Sequence, residues 1–164
     1  MPSRISLPDD IFVEILCRLA VKDLLRLRCG SKDCRDLIDS PNFVKLHLSH
    51  SLKTNSHRSL IILTDKSKSF SVDLDSLEIP QIKCSDILTD LQVKKFPIIG
   101  SCNGLIALET INGDAIVICN PTTRKIWLVP KPDVTLPAGT ILVDYGFGYD
   151  PVSDDYKLVA LIRR

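Results

Sequence analysis

The fold of the N-terminal part is decided by residues 7–22, which read LPDDIFVEILCRLAVK. From Asp10 onward the charged side chains recur every fourth residue and form one narrow polar stripe on a helix, at Asp10, Glu14, Arg18 and Lys22. Almost every other position is apolar. Because about forty residues bury too little surface to cover such a helix alone, we expect part of its apolar surface to contact another protein.

More helices are predicted up to residue 48. Pro8 suits the start of the first helix. A short second helix is predicted over 22–28, a third has Ser31 as its N-cap, and a fourth begins at Pro41. We expect the fourth helix to bury Phe43, Val44 and either Leu46 or Leu48.

After residue 58 the pattern changes to that of short strands separated by turns. The predicted strands cover residues 60–63, 70–74, 105–108, 115–119, 126–129, 143–149 and 156–162. The turn signals between them are Asn112-Gly113-Asp114, Asn120-Pro121-Thr122-Thr123 and residues 150–154. The sequence therefore predicts an α+β chain with a helical module at 1–50, a polar linker at 51–58 and an antiparallel β domain at 59–164.

Composition excludes several classes of protein. The net charge of the 164 residues is +1 and only 5% are aromatic, which argues against a nucleic-acid surface. No apolar run reaches the roughly 20 residues that span a bilayer, and the N-terminus lacks a signal-peptide core. We expect a soluble protein of the cytoplasm or nucleus.

The six cysteines are scattered along the sequence. They are predicted to be small buried hydrophobes: Cys17, Cys29, Cys34, Cys84, Cys102 and Cys119.

The order of several motifs resembles that of a known family. An F-box is suggested by Leu7-Pro8-Asp9-Asp10-Ile11, residues 14–19, residues 21–26, Ser31-Lys32, residues 35–38, Phe43 and His47-Leu48. The propeller-like F-box-associated domain of plant F-box proteins is suggested by residues 100–105, 120–124, 145–150 and 155–159. Residues 71–77 also fit that group, whose members include F-box proteins that restrain plant immune signalling.

This resemblance implies a substrate receptor of a Skp–cullin–F-box ubiquitin ligase. The F-box would dock on the Skp-type adaptor and through it on cullin, while the C-terminal domain would hold an unknown protein for ubiquitination and degradation. It implies no catalysis, cofactor or metal. The positions that would face the adaptor or support that face are Leu7, Pro8, Ile11, Ile15, Leu16, Leu19, Val21, Leu24 and Leu25. Specificity for the client would lie on loops of the β domain.

Three departures from the family are visible. Ala20 stands where proline is usual, and Cys34 where tryptophan is frequent, so docking is expected to be weaker. Family members carry many more strands, whereas this sequence stops at Ala160-Leu161-Ile162-Arg163-Arg164. We expect an incomplete β domain with an exposed strand edge. The alternative function is a regulatory decoy that binds the adaptor without recruiting a client.

Two other sites are weighed against this interpretation. Cys29, Cys34, His47 and His50 nearly match zinc-finger spacing, but a finger needs a hairpin where this sequence predicts helices. Two core cysteines and two surface or helix-end histidines are expected instead. An aspartate group at Asp150, Asp154 and Asp155 is expected to be a solvated turn rather than a calcium site.

Three further patterns resemble functional motifs only in part. Gly146-Phe147-Gly148 lacks the third glycine of a dinucleotide loop, and turn or bulge glycines are expected. Cys102 has no histidine near it in the predicted fold, so it is expected to lie buried beside an Asn103-Gly104 turn rather than to act as a nucleophile. Pro121 excludes glycosylation of Asn120.

Overall fold

A computed structural model describes residues 8–63, 69–74, 97–110, 113–131 and 142–163. Within these ranges, helices come first and antiparallel strands follow, which confirms the predicted α+β class. The described residues fall into two compact units. The first holds residues 8–60 and 71–74, and the second holds 61–63, 69–70, 97–110, 113–131 and 142–163. Leu7, Cys84 and Asn112, on which predictions were made, lie outside the described residues.

The helices of the first unit are α1 (Asp9–Cys17), α2 (Val21–Leu27), α3 (Lys32–Ile38) and α4 (Pro41–Thr54). All four predicted helices are thus confirmed. The last one is longer than expected, because residues 51–54 of the predicted linker continue α4. No proline or glycine interrupts it there, and the helix ends only where Asn55 takes the left-handed conformation, with φ of 54°.

Serine hydroxyl groups cap the N-termini of two of these helices. Ser31 Oγ accepts the backbone N–H of Cys34 at 3.1 Å, as the sequence predicts. Ser40 Oγ accepts the backbone N–H of Phe43 at 3.2 Å, so Ser40 is the N-cap of α4. These caps fix where α3 and α4 begin and therefore which of their side chains turn inward.

The core of the first unit gathers one or two residues from each helix: Leu16, Cys17, Leu24, Ile38 and Phe43. One turn beyond Phe43, the ring of His47 is also buried, and its Nε2 donates to the carbonyl oxygen of Leu19 at 2.9 Å. Because Phe43 and His47 are four residues apart, they share the inner face of α4. The predicted burial of Val44 is therefore wrong, since it is about half exposed. Of the two alternatives, Leu46 is half exposed and Leu48 is partly buried.

The strands are β1 (Ser59–Leu63), β2 (Ser69–Asp73), β3 (Ile98–Cys102), β4 (Leu105–Glu109), β5 (Ala115–Asn120), β6 (Lys125–Pro130), β7 (Leu142–Asp150) and β8 (Asp155–Arg163). β1 pairs with β2, β3 to β6 form an antiparallel sheet in chain order, and β7 pairs with β8. Every predicted strand is present. β3 is an addition that the sequence pattern missed, because Gly100 and a register shift between Ile98 and Gly100 break its alternation.

The four-stranded sheet is built around its two middle strands. β4 and β5 bury Ala107, Leu108, Ile116 and Val117 almost completely. Beside this core, β3 comes close to β7: a Cβ added to Gly100 would lie 3.4 Å from the carbonyl oxygen of Phe147. A Cβ would therefore be in van der Waals contact with Phe147, which shows how closely the two strands approach.

The loop between β5 and β6 and the loop between β7 and β8 are held by the same kind of side-chain hydrogen bond. Asn120 Oδ1 accepts the N–H groups of the residues two and three positions later, each at 3.0 Å. In the loop after β7, Asp150 Oδ1 accepts the N–H of Val152 at 3.0 Å and Oδ2 accepts the Ser153 hydroxyl at 2.7 Å. In both loops the fifth position, Arg124 or Asp154, has positive φ. Side-chain acceptors therefore hold both turns closed.

A lysine links the four-stranded sheet to β7. Lys131, which follows β6, pairs with Glu109 of β4, and its Nζ lies 4.6 Å above the ring centre of Tyr145. Burial alone would lower the pKa of Lys131, but the hydrogen bond and charge of Glu109 raise it overall. The ammonium therefore stays charged and satisfied in a partly buried position.

The Asn103-Gly104 turn can be tested by substitution. Both residues have positive φ, 51° and 77°, as a two-residue type I′ hairpin requires. Gly104→Ala is expected to lower the free energy of unfolding by about 1 kcal/mol, because a Cβ disfavours that conformation. Unfolding in urea, followed by the fluorescence of Trp127, reports on this unit.

The matched control for that turn is Gly146→Ala. Gly146 lies in β7 with open space around the position of a Cβ and with no positive φ recorded. Alanine there is expected to leave stability unchanged or to raise it slightly. Equal losses in the two variants would show that Gly104 does not need its left-handed conformation.

The loop after β7 makes stability depend on pH. The Ser153 hydroxyl, and then the Val152 N–H, lower the pKa of Asp150. A depressed carboxyl pKa stabilises the folded state above about pH 4, and that contribution disappears as the pH falls through the folded value. Asp150→Asn, which keeps an acceptor as Asn120 does, is expected to flatten the decline in the melting temperature below about pH 4. Asp150→Ala should destabilise at every pH, and an unchanged acid profile in Asp150→Asn would contradict this role.

Candidate functional site

Helix α1 carries apolar side chains on two sides. Leu16 and Cys17 point into the core, with 1% and 3% of their surface exposed. On another side, Ile11 and Ile15 are 46% and 45% exposed, one helical turn apart, and Pro8 at the N-cap is exposed as well. We call Pro8, Ile11 and Ile15 the α1 stripe. The apolar surface that the sequence predicts in excess therefore lies, at least in part, at the α1 stripe.

The nine predicted docking positions do not all reach the surface. Leu16 and Leu24 are buried in the unit's own core, so in this structure they support the fold. The partly buried positions are Leu19, Val21 and Leu25. The α1 stripe supplies the exposed positions, and Leu7 lies outside the described residues. The structure thus separates the exposed from the buried positions of this set, which helical spacing alone did not do.

Charges border the α1 stripe. Glu14 and Arg18 form the expected pair at 2.6 Å, with about two thirds of each side chain exposed. Asp9 and Asp10 occupy the first turn of α1, where carboxylates interact favourably with the helix dipole. An exposed pair of this kind adds little stability. These charged side chains give the apolar α1 stripe a charged border.

The two unusual residues of the module fit their positions. Ala20 is the N-cap of α2 with φ of −64°, which is the value proline would fix. Alanine therefore reaches the same backbone conformation without the proline ring. Cys34 is partly buried and packs against the core of the unit. A tryptophan there would bury more area.

The alternative zinc site is not assembled. Cys29 is exposed at the end of α2, and His47 is buried with its Nε2 bonded to Leu19. The expectation that His47 lies at the surface or a helix end is wrong, because it occupies the inner face of α4. Within the described ranges, no three histidine, cysteine or acidic side chains lie close enough to hold a metal.

The cysteine prediction holds only in part. Among the described residues, Cys17 and Cys119 are buried, Cys34 and Cys102 are partly buried and Cys29 is exposed. Burial, followed by the charge of Glu14, raises the pKa of the Cys17 thiol, which makes it a poor nucleophile. The turn predicted beside Cys102 is confirmed.

The glycines of β7 also differ from expectation. Gly146 and Gly148 were predicted to lie in a turn or bulge, but β7 pairs with β8 without a register shift through both of them. They are ordinary strand positions whose neighbours leave open space. The prediction is wrong because the nine-residue pairing with β8 holds β7 extended, although glycine often interrupts a strand locally.

Comparison with known proteins accounts for both parts of the chain. The family profile of the F-box domain matches residues 5–46, which include the α1 stripe. The profile of the F-box associated beta propeller domain matches residues 54–164. The chain belongs to the F-box proteins with an F-box-associated domain.

Curated plant proteins resemble the chain over nearly its whole length. F-box protein CPR1 of Arabidopsis thaliana is 39% identical over 163 residues, which are 96% of this chain and 38% of the relative. The Arabidopsis F-box protein At4g22390 is also 39% identical, over 95% of this chain and 38% of its own length. F-box/kelch-repeat protein At3g23880 is 31% identical over 97% of this chain and 46% of its own length. The chain therefore spans less than half of each of these relatives.

No solved structure matches the chain. In the part of the chain that is described, none of the helices has the length and apolar character needed to cross a bilayer.

Substitution of two neighbouring residues, Ile15 and Leu16, tests which side of α1 faces the core. Leu16→Ala is expected to lower the free energy of unfolding by about 2–5 kcal/mol, because it leaves a cavity in the core. Ile15→Ala, which removes an exposed side chain of the same size, is expected to change it by no more than about 0.5 kcal/mol. Urea unfolding followed by the helical circular dichroism signal measures both. A loss in Ile15→Ala as large as that in Leu16→Ala would contradict the assignment of the two sides of α1.

Proposed function

We propose that this chain is a non-catalytic, substrate-recruiting subunit of a Skp–cullin–F-box ubiquitin ligase, with the helical module as its docking site for the Skp-type adaptor. The observation that carries the proposal is the half-exposed α1 stripe, which lies inside the residues that match the F-box profile. A second support is the F-box-associated domain that follows it. We further propose that it acts in the cytoplasm or the nucleus.

The energetics favour docking through the α1 stripe. Full burial of an exposed isoleucine side chain is worth about 1.5–3 kcal/mol. Ile11 and Ile15 are each half exposed in the chain alone, so a partner that covers them recovers roughly half of that for each. Val21 and Leu25 are partly exposed and would extend the contact, with the supporting Leu16 and Leu24 beneath. A few buried apolar anchors are typical of stable interfaces.

The β domain would supply the client-binding surface. Strands β3 to β6 alternate in direction, so the loops at 103–104 and 121–124 emerge at one end of the sheet. The connection between β4 and β5 lies at the opposite end. Loops that a rigid sheet holds side by side are the usual place for recognition residues. In this role the chain makes no covalent bond itself, and it raises the effective concentration of a client near the ligase.

The adaptor contact is tested with one variant and one matched control. Ile15→Asp places an unpaired charge in the α1 stripe and is expected to weaken binding of a purified Skp-type adaptor at least about tenfold. Leu52→Asp introduces the same change on α4, where the leucine is 59% exposed, and is expected to bind as wild type does. Isothermal titration calorimetry measures the affinities, and circular dichroism checks that both variants are folded.

The outcomes distinguish the function from its alternative. Undiminished adaptor affinity in a folded Ile15→Asp variant would rule out docking through the α1 stripe. A wild-type chain that binds the adaptor and supports ubiquitination of a candidate client in a reconstituted ligase is the expected result. A chain that binds the adaptor, supports no such ubiquitination and competes with full-length relatives would be the regulatory decoy.

A further inference from the structure

The connection between α1 and α2 is held by a residue of α4. Helix α1 ends at Cys17 and α2 begins at Val21. Between them, the backbone carbonyl of Leu19 accepts a hydrogen bond of 2.9 Å from Nε2 of His47, which lies 28 residues further along the chain. Ala20, the N-cap of α2, has no side-chain group that could cap the helix. A long-range bond thus holds the residue next to the start of α2, whereas α3 and α4 start with serine caps.

Two other rings approach the ring of His47. The ring of Phe43 lies 6.1 Å from it between centroids, at an interplanar angle of 36°. The ring of His57 lies at the same centroid distance of 6.1 Å but is nearly parallel to it, at 13°. Because His47 is also buried, these contacts restrict the rotation of its side chain and so fix the direction of its Nε2 donor.

His57 reaches this position through a turn that follows α4. Asn55 and His57 both have positive φ, of 54° and 60°. For residues other than glycine this conformation costs free energy, and it persists only where the surrounding contacts determine it. Ser51 supplies two of those contacts, because its carbonyl oxygen accepts the N–H of Ser56 at 3.2 Å and its hydroxyl donates to the carbonyl oxygen of Ser56 at 2.7 Å. The turn therefore holds His57 against His47.

We propose that His47 and His57 are positioning residues for adaptor docking. His57 orients the ring of His47, and His47 holds the connection from which α2 starts. The two helices joined there carry predicted docking positions, which are the α1 stripe on one helix and Val21 and Leu25 on the other. The inference rests on the proposed function. Neither histidine lies within residues 5–46, which match the F-box profile, so the docking module extends beyond the profile to residue 57.

The bond affects affinity through the fraction of molecules in which the connection between α1 and α2 is ordered. A partner that contacts both helices needs them in one arrangement. The apparent dissociation constant rises in inverse proportion to the fraction of molecules that already have this arrangement. Loss of the His47 donor leaves the Leu19 carbonyl without its partner from α4 and frees the connection. A fall of that fraction from near one to about one tenth weakens binding about tenfold.

Two substitutions of His47 separate its donor from the bulk of its ring. His47→Gln keeps an N–H donor, whereas His47→Leu fills similar space without one. The full chain is titrated calorimetrically with a purified Skp-type adaptor. The dissociation constant is expected to rise at least about tenfold in His47→Leu and to stay within about threefold of wild type in His47→Gln. Equal affinities in the two variants would overturn the positioning role of His47.

His57 is tested against Asn55, its neighbour in the same turn. His57→Gly removes the ring but tolerates the left-handed conformation, and it is expected to raise the dissociation constant of the adaptor at least about threefold. Asn55→Gly is the matched control, because it makes the same backbone change at a φ of 54° and leaves both histidine rings in place. It is expected to bind as the wild type does. Equal effects of the two glycines would overturn the role of His57.

Hydrogen exchange tests the positioning role without the adaptor. The amides of Asp23 and Leu24 donate to the carbonyl oxygen of Ala20, at 2.9 and 3.1 Å, and so report on the first turn of α2. The amide of Asp39, which donates to the carbonyl oxygen of Arg35 at 2.9 Å, reports on α3. In the leucine variant of residue 47 and the glycine variant of residue 57, the two α2 amides are expected to exchange at least about fivefold faster relative to the α3 amide.

The exchange rates also separate failure of this inference from failure of the proposed function. Circular dichroism checks that each variant is folded. Equal acceleration of the α2 and α3 amides would show general destabilisation and overturn the positioning role. A wild-type chain that does not bind the adaptor would contradict the proposed function, and the exchange rates of Asp23 and Leu24 then decide the positioning role by themselves.

Discussion

Burial of Leu16 and Cys17 in the helical core determines which side of α1 remains outside. Once they turn inward, the periodicity of the helix leaves Ile11 and Ile15 on the surface. The chain after α1 is held by the bond from His47 to the carbonyl of Leu19. A short helix bundle can thus bury one side of α1 while presenting another to a partner, and the proposed docking function depends on that division.

The second unit rests on a different constraint, which is the closure of its hairpins. Side-chain acceptors at Asn120 and Asp150 hold two loops in the same form, and the positive φ of Asn103 and Gly104 closes a third. These turns set the registers that bring β4 and β5 to the middle of a sheet. They also place β6 beside β5 and pair β7 with β8 over nine residues.

Much of this fold could be predicted because its signals are local. Helix starts at Ser31 and Pro41, the Glu14–Arg18 pair and the turn at Asn103-Gly104 depend on residues no more than four apart. The misses involve distant contacts. β3 lacks an alternating pattern, yet pairing with β4 and the approach of Gly100 to Phe147 hold it as a strand. His47 is predicted to lie at the surface or at a helix end, but it is buried, because the carbonyl oxygen of Leu19 accepts a hydrogen bond from its Nε2 there.

The sequence by itself determined the family, the order of helices and strands, and the presence of more apolar surface on α1 than a small module can bury. It could not divide that surface between core and exterior, because Ile15 and Leu16 are adjacent residues of nearly equal hydrophobicity. Only the tertiary structure made that division, since burial depends on where α4 lies against α1. For the same reason, only the structure showed that His47 rather than Val44 lies on the inner face of α4, because exposure belongs to packed elements rather than to residue types.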